Sequence, residues 1–89
     1  MLDMKSQIKE WIEQNPLRVW RKRNGLALHH VSSQLGVGLF TIQTWENGNS
    51  IPNSQNMAAI IEMTNNENIS AEWKEWYLNA PSAMAHKGA

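Results

Sequence analysis

The sequence predicts an all-α fold of five or six short helices, and three observations carry that expectation. Apolar residues return every three or four positions in successive stretches, which is the period of a helix burying one stripe. Asn, Gly or Pro bounds most of these stretches, where a chain stops and turns. No stretch alternates apolar and polar residues as a half-buried strand does, and no internal repeat is visible. Five tryptophans among 89 residues, with 42% hydrophobic and 18% charged residues, supply large anchors for a core. Residues 1–80 are therefore expected to form one domain and residues 81–89 a flexible tail of small side chains.

The elements follow in order. Ser6 is the expected cap of a first helix over residues 5–14, with Ile8, Trp11 and Ile12 on its inner face. Asn15-Pro16 ends it and opens a second helix, which carries Leu17 and Trp20 inward and stops at Asn24-Gly25. Leu28, Val31 and Leu35 mark a third helix up to Gly36, and Val37, Thr41, Ile42 and Trp45 mark a fourth up to Asn47-Gly48. Pro52 and the cap at Asn53-Ser54 open a fifth, with Met57, Ile60, Ile61 and Met63 inward, and the polar run "TNNEN" stops it. Ser70 is the expected cap of a sixth helix bearing Trp73, Trp76 and Tyr77.

Composition narrows the function classes. There is no cysteine, hence no disulfide framework and no thiolate chemistry. The N-terminal stretch "MLDMKSQIKEWIEQ" lacks the apolar run of a signal peptide, and no run approaches the ~20 apolar residues of a membrane span. A cytoplasmic protein with no membrane role is the expectation. No Ser-His-Asp set, HExxH pair or glycine-rich phosphate loop is legible, so neither an enzyme nor a small-molecule substrate is expected. His29 and His30 are adjacent, diverge by about 100° on a helix and cannot share one metal from one face; no metal or cofactor is expected. Formal net charge is zero, yet residues 14–61 hold Arg18, Arg21, Lys22 and Arg23 against Glu46 alone. A polyanion would meet the middle of the chain.

That middle also carries a pattern. Ser32 is a small residue where two helices approach, Gly36 tolerates the positive φ of a tight turn, and Val31, Leu35, Val37, Ile42 and Trp45 are apolar locks. With "LRVWRKRNGL", "LGV", "TIQTWENG" and Pro52 in register, the chain resembles the Cro/CI-type (XRE-like) helix-turn-helix family over residues 16–63. The resemblance implies a lambda-repressor-like DNA-binding domain, here with an extra N-terminal helix and a C-terminal aromatic helix. It also implies that Arg21 and Glu46 form a structural ion pair, and it places the helix over residues 38–47 in the major groove of double-stranded DNA. Three positions depart from the family pattern. Ala27 and Gly38 stand where capping Ser or Thr is usual, and Leu28 stands where a DNA-contacting Gln is common.

Helical geometry then sorts the recognition segment. Ile42 and Trp45 point inward, leaving Leu39, Phe40, Gln43, Thr44 and Asn47 facing outward. Gln43 suits adenine bidentately, Thr44 and Asn47 suit bases or phosphates, and Leu39 and Phe40 suit a thymine methyl. No Arg or Lys lies on this face, so phosphate contacts are assigned to Arg18, Lys22, Arg23 and His29. Few such contacts imply a homodimer on two half-sites. The aromatic stripe of Trp73, Trp76 and Tyr77 has two readings: a helix folded back over Trp11 and Ile12, or a dimer or partner surface. A protein-interaction module, adaptor or antitoxin-like, that uses Leu39, Phe40 and this helix is the alternative function.

Overall fold

The computed structural model describes residues 3–81 as six helices with no strand among them. They are α1 (Met4–Glu13), α2 (Pro16–Arg23), α3 (Leu28–Leu35), α4 (Leu39–Glu46), α5 (Ser54–Thr64) and α6 (Ile69–Leu78). The all-α expectation holds. The tail anticipated over residues 81–89 lies, from residue 82 on, outside the described residues.

Local chemistry sets the boundaries. Asn15 caps α2 by accepting the Arg18 amide at 3.0 Å, with Pro16 in the first turn where its missing N–H costs nothing. Asn53 does the same for α5 through the Asn56 amide at 2.8 Å. Two expected caps are corrected. Asp3, not Ser6, caps α1: its carboxylate accepts the Ser6 amide at 2.7 Å, so Ser6 is the donor of that cap. This backbone hydrogen bond also lowers the Asp3 pKa. α6 opens at Ile69 with Asn68, two residues ahead of the expected Ser70, at its N-cap and no side-chain cap bond; the Asn66 side chain accepts the Asn68 amide at 3.0 Å and turns the chain there.

The apolar stripes meet in one core of Trp11, Leu17, Val31, Ile42, Trp45, Met57, Ile60, Ile69, Trp73 and Trp76. α3 packs against α4 and α5, and α6 closes against α2 and α5. The sixth helix thus folds back onto the first, the first of the two readings of its aromatic stripe. The Trp11 and Trp76 rings stack with centroids 4.1 Å apart and planes 5° from parallel. Each indole N–H donates to the other residue's carbonyl: Trp11 Nε1 to Trp76 O at 2.8 Å, and Trp76 Nε1 to Trp11 O at 2.7 Å. A buried indole usually finds such a partner, although the Trp73 Nε1 is buried here without one among the described residues. The assignment of Trp73 and Trp76 to a dimer or partner surface is corrected accordingly, since Trp73 is 0% exposed and Trp76 is held in this stack. Tyr77 is half-buried and packs on the same core.

This stack reaches the end of α4. Gly48 follows the helix at φ +77°, and a Cβ there would collide with Trp11 Cη2 and lie 2.6 Å from its Cζ3 and 3.2 Å from Trp76 Cη2. Left-handed backbone and a rigid aromatic wall exclude any side chain. Gly48→Ala is expected to cost about 2–4 kcal/mol from strain and overpacking together, read as a lower urea midpoint at unchanged slope. Gly36→Ala, left-handed at φ +69° but in open space, is expected to cost about 1 kcal/mol.

Candidate nucleic-acid interface

α3 and α4 are joined by a three-residue turn that the sequence builds from both sides. Gly36 takes the left-handed conformation, and the Ser32 carbonyl accepts the Gly36 and Val37 amides at 2.9 and 3.2 Å. The Ser32 hydroxyl donates in turn to the Val37 carbonyl. One small side chain therefore fixes where α4 starts. Neither Ala27 nor Gly38 offers a capping side chain; at α3 the His30 ring accepts the Ala27 amide at 3.2 Å instead.

The inner face and far end of α4 are held by burial and charge. Ile42, Trp45 and Glu46 are buried. Asn15, itself buried between α1 and α2, donates from Nδ2 to the Trp45 carbonyl at 3.4 Å. The structure brings Arg21 and Glu46 together: Nε and Nη2 each reach one carboxylate oxygen at 2.9 Å, a bidentate fork. Arg21 Nη1 continues to the Leu26 carbonyl at 3.0 Å, and Arg18 Nη1 stands 3.6 Å from Glu46. Hydrogen bonding to Glu46 raises the Arg21 pKa above its ordinary value, so this charge is permanent.

The outer face is left to solvent. Phe40 is 75% exposed and Leu39 47%, and Gln43 and Asn47 are exposed beside them. Thr44 is half-buried, and its hydroxyl donates to the Thr41 carbonyl at 2.7 Å. Its proton is thus spent within the helix, and Thr44 faces outward as an acceptor. The face combines two apolar side chains with two amides and carries no charge.

Two of the four residues assigned to phosphate are placed differently from expectation. Arg18 Nη2 lies 3.2 Å from Glu13 Oε1, and Lys22 Nζ lies 3.2 Å from Glu13 Oε2. Glu13 ends α1, and the Asn15-Pro16 turn swings its carboxylate over both cations. The Arg18 hydrogen bond first, and that of Lys22 second, lower the Glu13 pKa. The stabilisation from this bridge is fully present above the ordinary carboxylate range and is lost as pH falls through the lowered value. Arg23 and His29 are exposed, and Arg23 has no ion pair among the described residues. The His29 ring lies 4.2 Å from that of His30.

Glu13, Asn15 and Trp11 were not singled out as contributors to this face in the sequence. Glu13 and Arg18 are five apart across a helix break, where the three- and four-residue rule for neighbours along one helix says nothing. Only Asn15 had a local signal, as the cap before Pro16. Among the described residues, no group of three or more His, Cys, Asp or Glu could hold a metal ion. No helix among them is long and apolar enough to cross a membrane.

Against known proteins, the chain matches no family model, and no curated protein or solved structure is significantly similar to it. The functional reading rests on residues and geometry.

Glu46→Ala strands the Arg21 guanidinium in the core and is expected to cost about 3–5 kcal/mol in chemical denaturation. The difference should persist in 1 M salt, where an exposed pair would be screened. A loss below 1 kcal/mol would place the pair energetically at the surface.

Proposed function

We propose that this chain is a sequence-specific, duplex-DNA-binding transcriptional regulator that inserts α4 into the major groove and works by occupancy. The observation that carries this reading is the contrast between the two sides of α4. One side and the C-terminal end are held by Ile42, Trp45 and the buried Arg21–Glu46 fork, while the other exposes Leu39, Phe40, Gln43 and Asn47. An α-helix with its side chains is about 10–12 Å across and fits a groove ~12 Å wide, and α4 is seated so that one face is free to enter it. The resemblance of residues 16–63 to Cro/CI-type helix-turn-helix domains supports the same docking.

Gln43 and Asn47 present amides to base edges, and the Thr44 oxygen accepts from a base amino group. Leu39 and Phe40 pack on thymine methyls, which gives these apolar residues a role on an otherwise polar surface. Arg23 and His29 contact phosphate. Because the outer face of α4 carries no charge, affinity at one half-site is low, and two copies on a palindromic site supply the rest.

A second reading is favoured by one observation: the 75% exposure of Phe40 beside Leu39 on a chargeless helix face also suits a protein partner. Selection from a randomised duplex library at two salt concentrations separates the two. Enrichment of a palindrome with thymines near Leu39 and Phe40 supports the DNA reader. No enrichment at low salt, with concentration-dependent association to a protein, supports the interaction module.

On the selected site, Gln43→Ala is expected to cost about 1–3 kcal/mol and to relax preference at one base position. Arg23→Ala should weaken all sequences alike and reduce the salt slope by about 1. Equal loss on every sequence for Gln43→Ala would remove it from the base-reading set.

A further inference from the structure

Arg18 and Lys22 lie one helical turn apart on α2, and a single carboxylate spans them. One oxygen of Glu13 bonds Arg18 and the other bonds Lys22, each at 3.2 Å. A phosphodiester presents the same chemistry, two anionic oxygens on one centre, to two neighbouring cations. The Glu13 side chain is 42% exposed and that of Lys22 is 53%, so solvent and an incoming anion can reach the bridge.

We propose that Arg18 and Lys22 form a phosphodiester-binding subsite that Glu13 occupies in the unbound protein, so that a duplex must displace this carboxylate to gain the two contacts. This rests on the DNA-binding reading above and adds to it a residue outside the helix-turn-helix. Glu13 acts as an internal competitor, present at a fixed effective concentration set by the short connection between α1 and α2. The competition is blind to base sequence, because the subsite touches only backbone. Breaking an exposed ion pair costs a factor of about 1.5–5, and two are broken here.

The test compares wild type, Glu13→Gln, Glu13→Asp and Glu10→Gln for binding to one mixed-sequence duplex and to the selected site, across a series of salt concentrations. Glu10 is an exposed carboxylate one turn earlier on α1 with no ion pair among the described residues, so it controls for net charge. Glu13→Gln is expected to bind both duplexes roughly 3–10-fold more tightly and to steepen the log-log salt slope by about 0.9. Base preference should stay unchanged. Glu13→Asp should sit near wild type and Glu10→Gln should leave affinity and slope close to wild type. Adding Lys22→Ala to Glu13→Gln should cancel most of the gain. Equal slopes for wild type and Glu13→Gln on a duplex that both bind would overturn the subsite and leave the DNA-binding reading intact. So would an effect of Glu10→Gln as large as that of Glu13→Gln. If neither protein binds any duplex at low salt, the subsite and the DNA-binding reading fall together.

Discussion

Glu46 is a carboxylate with almost no access to water, placed at the end of the helix whose opposite face is bare, and the Arg21 fork is what allows it to be there. The desolvation of two such charges roughly offsets their attraction, so the pair adds little net stability over an apolar substitute of the same shape. What it adds is direction. A bidentate fork has one satisfactory geometry, and α4 must rotate to meet it. An eight-residue helix with no side-chain cap at Gly38 has little stability of its own, so its orientation comes from what holds its far end. Three contacts converge there: the fork on Glu46, the Asn15 amide on the Trp45 carbonyl, and the tryptophan stack against Gly48.

α2 is the electrostatic centre of the molecule. It carries four of the chain's eight basic side chains within six positions, and the fold sorts them by depth. Arg21 is committed to the core, Arg18 sits between Glu46 and Glu13, Lys22 lies over Glu13, and Arg23 stands in solvent. The excess positive charge seen in the middle of the sequence is therefore met in part from within. A charge count along a chain measures what a partner could feel only after internal pairs are included, and here one acid from the flanking helix contacts two bases while cancelling one charge.

How much of this was legible depended on the range of the interaction. The six helices were readable because each is punctuated locally: Asn15-Pro16, Gly36, Gly48 and Asn53 act within three residues of themselves. The caps expected at Ser6 and Ser70 are displaced over the same short range: Asp3 accepts the Ser6 amide, and α6 starts from Asn68 with no side-chain cap. The outward position of Leu39, Phe40, Gln43 and Asn47 followed from helical geometry alone. Arg21 and Glu46, 25 positions apart, came only through a motif resemblance, because no periodicity links residues on different helices. The Glu13 bridge and the tryptophan stack had no such precedent. Each depends on how two helices cross, and an aromatic stripe looks alike whether it faces its own chain or another.

Trp11 and Trp76 are 65 positions apart, and the stack they form is the last wall placed around Gly48. A chain emerging from the ribosome completes α3, its turn and α4 long before α6 exists. Without α6, Gly48 has the Trp11 side of its wall but not the Trp76 side, and the Trp11 indole N–H lacks the carbonyl that accepts it. A truncated or still-growing chain therefore carries the whole helix-turn-helix sequence without the contacts that close the stack.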